Sequence, residues 1–264
     1  MRPKLLITGA AGRVGRTLTE ALADEYELLL FDRIPIATRR ANVANIAADL
    51  SDGPALERAM RDVGCVIHLA AIPEESPFED LVRPNILGTY AVFEAARRAG
   101  VERVIFASSI QAVGFHRMEC GVAQDSRIRP SGFYGVTKAF GEALASLYAD
   151  KFGISVACLR IASFEPEPQD QRHLSTWLSP ADCVRLFRAC IEAPRFSFIM
   201  AYGVSANEAS IVSDAVPSAI DYRPRDNAES FRSTLAAVSN TAAVLFAGGE
   251  FCGRDFIGDF GRVK

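Results

Sequence analysis

Six short apolar runs recur along the 264-residue chain: KLLIT (4–8), YELLLFD (26–32), CVIHLAA (65–71), RVIFASS (103–109), SVACLRI (155–161) and SFIMAYG (197–203). Each is nearly continuously apolar rather than alternating, the pattern of a strand covered on both faces. Helix-patterned segments lie between them, at 13–24, 54–62, 80–99, 134–152 and 180–193. Strands alternating with helices predict βαβ units with right-handed crossovers. The fold class is therefore α/β, a doubly wound parallel sheet.

The first strand-to-helix junction is ITGAAGRVG (7–15), which sets Gly9, Gly12 and Gly15 between strand and helix. Glycines there serve a tight turn and let a pyrophosphate approach the backbone at a helix N-terminus. Asp32 closes the next strand, where a carboxylate can accept both ribose hydroxyls of an adenosine. It would repel a 2′-phosphate, so NAD is favoured over NADP, although the neighbouring Arg33 is a side chain that accommodates such a phosphate. AADL (47–50) places Asp49 and Leu50 beyond a third strand, beside an adenine edge and face. Asp49 equally suits the N-cap of the helix that follows. These positions predict a dinucleotide-binding core over 1–161 and a small substrate-binding portion over 162–264, within a single domain of 1–264.

Tyr134 and Lys138 in YGVTK are four apart and share one helix face. An ammonium one turn from a phenol lowers the phenol pKa from its ordinary value of about 10. The tyrosinate can take a proton from a substrate hydroxyl while hydride leaves the same carbon. Ser109, at the end of RVIFASS, is placed to hydrogen-bond that oxygen. Together with the glycine loop and Asp32, this constellation predicts hydride-transfer catalysis. The histidines add little: His68 reads as a satisfied core residue, His116 and His173 fall in loops, and no spacing suggests a metal site.

TGAAGRVG, HLAA, NILGTY, FASS and YGVTK resemble the extended short-chain dehydrogenase/reductase superfamily through most of the first 160 residues. The resemblance implies a Rossmann fold, a Ser109/Tyr134/Lys138 triad, and cofactor contacts from Leu69, Ala70, Ala71 and around Asn85. It also puts Arg13, Val14, Ile161 and Phe164 on the cofactor side. For Asn85 the competing reading is a polar group packing the surroundings of Lys138. RIASFEPEPQDQRHLSTWLS (160–179), GVSANEAS (203–210) and RPRDNAESFR (223–232) are similar to the bacterial uronate dehydrogenases, nearly end to end. That similarity implies oxidation of a cyclic hexuronate at C1 to the aldarolactone with NAD as acceptor. It also implies Ser163 on the sugar and Arg172 on its carboxylate, which a guanidinium fork suits. Two features depart from that family. Ser109-Ile110-Gln111 stands where it carries Ser-Asn-His, and Pro73 in AAIPEES stands where it carries serine. The substrate-facing set is thus Pro73, Ser109, Ile110, Gln111, Ser163 and Arg172. With two polar contacts altered, the sugar is open to differ in a hydroxyl or in its anionic group, a sulfonated sugar being one case. Pro166 and Pro168 are read as stiffening the loop, with Trp177 packed beneath it.

The net charge is −3 and no Lys/Arg run exceeds two residues, which excludes a nucleic-acid or anionic-membrane reading. No apolar run approaches the roughly 20 residues of a membrane span. The opening MRPKLLITGAAG leaves no room for a signal peptide. Six cysteines without CxxC spacing fit a reduced, cytoplasmic protein. Few residues follow the sixth strand, which favours a small free sugar over a nucleotide sugar. The resemblance further implies a homo-oligomer, a dimer or larger, paired through helices around 80–99 and 134–152. Alternatives are an epimerase or dehydratase that retains NAD, a dehydrogenase of another anionic or neutral aldose, or a dinucleotide sensor, against which the intact triad counts.

Overall fold

Each apolar run becomes a strand in the computed structural model, which describes residues 3–213, 216–237, 244–254 and 256. The strands are β1 (Lys4–Thr8), β2 (Glu27–Asp32), β3 (Val43–Ala47), β4 (Cys65–His68), β5 (Arg103–Ser109), β6 (Ser155–Ile161), a short pair β7 (Ser163–Phe164) and β8 (Trp177–Leu178), and β9 (Phe198–Gly203). Seven of them form one parallel sheet in the order β3-β2-β1-β4-β5-β6-β9. The winding reverses between β1 and β4, the point at which a sheet of this kind leaves a crevice at the carboxyl ends of its strands.

The helices are α1 (Arg13–Leu22), α2 (Gly53–Ala59), α3 (Phe78–Leu81), α4 (Gly88–Ala99), α5 (Phe133–Phe152), α6 (His173–Thr176) and α7 (Pro180–Glu192). Successive strand side chains point to opposite faces and so feed two separate cores. Leu5, Ile7, Leu28 and Leu30 pack with Leu18 and Leu22 of α1 and with Leu186 and Phe187 of α7. Leu6, Leu29 and Phe31 pack with Leu56 of α2, Phe93 of α4 and Tyr148 of α5.

One detail of the helices differs from the sequence expectation, and two more follow from the topology. β3 is an edge strand whose Ala44, Asn45 and Ala47 are exposed, which is why it lacks a continuous apolar run. The segment 80–99 is not one helix: a π-helical stretch, Val82–Leu87, joins α3 to α4 around Pro84, which has no N–H to donate. After residue 161, β9 adds the last strand of the same sheet and α7 packs against it. No helix among the described residues is long and apolar enough to cross a membrane. Trp177 packs edge-on against Phe231 and donates its indole N–H to the Glu165 carbonyl at 2.9 Å, a packing position under the loop.

Candidate active site

At the β1–α1 junction Gly9 has φ +71°, and a Cβ there would lie 2.5 Å from the Ala70 nitrogen. The turn is therefore bare backbone pressed against the loop after β4. No side chain caps the N-terminus of α1, which leaves its first N–H groups facing the crevice. The Asp32 carboxylate accepts the Ala11 N–H at 2.9 Å and the Ile34 N–H at 3.0 Å, each on one oxygen. It thereby ties the glycine loop to the end of β2, and each oxygen keeps a lone pair for a hydroxyl. Bare glycine backbone, an uncapped helix end and a part-exposed acid suit an adenosine ribose and a pyrophosphate, so the residues present fit NAD.

Val14, Leu69, Ile161 and Phe164 are half-buried around this crevice, packed against one core cluster. Ala70 and Ala71 are half-buried beside them, and Leu50 is buried. Arg13 reaches across to the other side, donating to the Glu165 carboxylate at 2.9 Å and to the Phe164 carbonyl at 2.9 Å. Arg33 is exposed. Asp49 accepts the Ser51 N–H and hydroxyl at 2.9 and 2.7 Å, which hold its carboxyl below the usual range. The N-cap of α2 is instead Asp52, whose side chain accepts the Ala55 N–H at 3.0 Å. Asn85 is 3% exposed; its Nδ2 donates to the Ile72 carbonyl at 3.1 Å and to the Thr137 hydroxyl at 3.0 Å, while Oδ1 accepts the Ile72 N–H at 2.8 Å. Both amide hydrogens are thus spent within the protein.

Ser109, Tyr134 and Lys138 come together from β5 and α5. Lys138 Nζ donates to the Ala107 carbonyl at 2.7 Å and lies 5.6 Å from the Tyr134 ring centre. Burial lowers Lys138 to about 8, opposed by the Glu142 charge. Burial also pushes the Tyr134 phenol up to about 12, and a hydrogen bond with Ser109 works against that rise. Without a bound cofactor, desolvation therefore outweighs the lowering that the lysine spacing led us to expect. His68 is neutral: burial, then Lys138, lower it to about 3, and Thr8 and Thr89 hydroxyls satisfy its ring at 2.8 and 3.2 Å. Among the described residues no His/Cys/Asp/Glu group could hold a metal.

Arg172 and Ser163 also meet. Arg172 Nη1 donates to the Ser163 hydroxyl at 3.0 Å and Nη2 to the Ala247 carbonyl at 2.5 Å, while its buried Nε has no partner. Burial lowers its pKa, with the Asp170 charge opposing. Ser163 is held in turn by the Thr176 hydroxyl at 2.9 Å. Gln111 is occupied: its Oε1 accepts from Ser131 at 2.6 Å and its Nε2 donates to the Gly248 carbonyl at 3.1 Å. Ile110, 2% exposed, points into a small apolar cluster with Val113 and Tyr202. Pro73 is exposed on the loop after β4. The turn at Ala247–Gly248 thus links Arg172 to the neighbourhood of Ser109, a contact that no local spacing announces.

Sequence reasoning missed two further groups. Glu142, one turn past Lys138, forms a buried pair with Arg160, at 2.9 Å through both Nε and Nη2, and accepts the Ser108 hydroxyl at 2.6 Å. Burial works against the Arg160 charge, but Glu142 more than offsets it and raises the pKa. Glu75 accepts the backbone N–H groups of Phe133 and Tyr134 at the start of α5. The i, i+4, i+8 spacing of Tyr134, Lys138 and Glu142 is a signal that would have found the first; none marks the second.

Known proteins share this fold. The model described as the NAD dependent epimerase/dehydratase family matches residues 5–182. Uronate dehydrogenase of Agrobacterium fabrum is 39% identical, over 94% of this chain and 96% of that protein. NAD-dependent glucose-6-phosphate dehydrogenase of Haloferax volcanii is 36% identical, over 88% and 96%. The crystal structure of a mutant uronate dehydrogenase from Agrobacterium tumefaciens complexed with NAD superposes with a TM-score of 0.91 at 38% identity, covering 96% of this chain and 97% of that one. The chain belongs to the NAD dependent epimerase/dehydratase family and is an NAD-dependent oxidoreductase.

Proposed function

We propose that the protein oxidises a free, anionic, hexuronate-like sugar at its anomeric C1 hydroxyl, giving the lactone. The observation that carries this reading is Arg172. It is a largely desolvated guanidinium with no ion-paired carboxylate among the described residues, next to a serine to which it donates. Asp170 and Glu250 act on this charge only from beyond ion-pair distance, and an anionic ligand arm would lower the cost of its desolvation. Uronates and glucose 6-phosphate, named for two of the relatives, are both aldoses with such an arm.

Tyr134 accepts the C1 hydroxyl proton, Ser109 holds the same oxygen, and Lys138 supports the phenolate from one helical turn away. The glycine loop, the N-terminus of α1 and Asp32 would hold NAD, which would supply the hydride acceptor and a positive charge that favours the ionised phenol. Asp32 selects NAD over NADP through the ribose. Because Gln111 is engaged by Ser131 and Gly248, and Ile110 by the core, the sugar is read mainly by Ser109, Ser163 and Arg172. A second copy packs across α4 and α5, where Leu87 just before α4, Tyr90, Phe133, Val136 and Leu147 are exposed. The setting is the cytoplasm, in keeping with six free cysteines.

The test is NADH formation at 340 nm with a panel of uronates, sulfonated sugars and neutral aldoses. Net NADH with an anionic sugar, lost in Tyr134→Phe with NAD binding retained, is the expected result. Retained turnover in Tyr134→Phe removes the base assignment; conversion without net NADH makes the protein an epimerase or dehydratase.

A further inference from the structure

We propose that Glu75 is a positioning residue that fixes the catalytic helix so that the Tyr134 phenol is correctly placed; the inference rests on Tyr134 being the proton acceptor. A helix leaves its first N–H groups without intrahelical partners, and a local Ser, Thr, Asp or Asn ordinarily serves as the cap. α5 has no such residue. Its N-cap is Gly132, without a side chain, and the cap arrives from 59 residues away. Glu75, 7% exposed, accepts the Phe133 N–H at 2.7 Å on Oε1 and the Tyr134 N–H at 3.0 Å on Oε2. The missing Gly132 side chain makes this possible, because a Cβ there would lie 2.3 Å from Glu75 Oε2. The second of the two bonds is to the backbone of the catalytic tyrosine itself.

A second tie lies one turn further along. Asn85 holds both the N–H and the carbonyl of Ile72 and donates to Thr137 Oγ1 at 3.0 Å. Thr137 in turn donates to the Tyr134 carbonyl at 2.8 Å. The loop over 72–75 is therefore fastened to α5 on both sides of Tyr134. That loop continues from Leu69 and Ala70, against which the glycine loop is pressed at Gly9. The wall of the cofactor crevice and the helix bearing the base thus form one unit, whose junction is the Glu75 carboxylate.

Glu75→Gln keeps the size of the side chain, but its amide accepts only one of the two N–H groups and turns a donor toward the other. A displacement near 1 Å at a reacting group costs on the order of a hundredfold in rate. We expect kcat to fall between about ten- and a hundredfold. The NAD dissociation constant should stay within about twofold and the apparent pKa of the pH–rate profile should not move, because Glu75 acts through position and not through charge on the phenol. Amide exchange at Phe133 and Tyr134 should quicken with or without cofactor. Gly132→Ala, which displaces the carboxylate while leaving Glu75 in place, should reproduce the kcat loss and decides the matter where Glu75→Gln does not fold. Turnover within about twofold of wild type in either folded variant overturns the proposal, as does a shifted pH profile. Tyr134→Phe separates the two readings: an inactive Tyr134→Phe beside a wild-type-like Glu75→Gln sinks only the role of Glu75, whereas an active Tyr134→Phe sinks the base assignment itself.

Discussion

Lys138 is a buried base whose pKa falls from 10.5 to about 8, so folding disfavours its protonated form. The sign follows from linkage: between those two values the unfolded chain holds the proton and the native chain does not, so stability rises with pH there. At 1.36 kcal/mol per pKa unit, the charged lysine costs the fold about 3 kcal/mol at pH 7 and about 1 kcal/mol at pH 9.5. Lys138→Met removes the titrating group. It also leaves the Ala107 carbonyl without its 2.7 Å donor, an offset that does not depend on pH. Titrations common to both proteins cancel in the comparison. Urea unfolding of the cofactor-free proteins at pH 7 and 9.5 should show the stability of Lys138→Met relative to wild type falling by about 2 kcal/mol between the two conditions. A flat difference would mean that burial does not win at Lys138. A lysine held by Glu142 as a stabilised cation would likewise give a flat difference, because a raised pKa changes stability only above about 10.5.

Glu142→Gln leaves Arg160, whose side chain is 4% exposed, without its countercharge, and should cost about 3–5 kcal/mol in chemical denaturation. Replacing both partners with apolar residues of similar volume should cost less than the single change, and a loss equal to or greater than it would refute the pair's desolvation. Asp32→Ser removes the acid that ties the glycine loop to β2 and repels a 2′-phosphate. It should raise the NAD dissociation constant about tenfold and narrow the NAD/NADP ratio, measured by isothermal titration with each cofactor. An unchanged ratio would show that Asp32 does not set the cofactor choice.

The parts legible in the sequence are those encoded by local spacing. Gly9 must be glycine for its positive φ and for the approach of Ala70, and it follows a strand visibly. Asp32 ends a continuous apolar run, and Tyr134 and Lys138 share a helix face by count alone. What escaped depends on pairings across the chain. Glu75 caps a helix that begins 58 residues later, and Gln111 is bonded to a carbonyl 137 residues on. Ile110 sits in a motif that suggested sugar contact, yet the backbone turn after β5 directs it into the core. The expected lowering of the tyrosine pKa also failed in the cofactor-free site, because spacing shows the ammonium and not the burial that outweighs it.

The proposed function turns on what Arg172 is for, and kcat/KM of wild type and Arg172→Ala with NAD decides it, using a uronate and the matching neutral aldose. A charge-assisted contact in a desolvated site is worth up to about 3 kcal/mol, so the variant should lose on the order of a hundredfold on the uronate and less than about threefold on the neutral sugar. Equal losses on the two sugars would contradict the assignment of Arg172 to the substrate's anionic group.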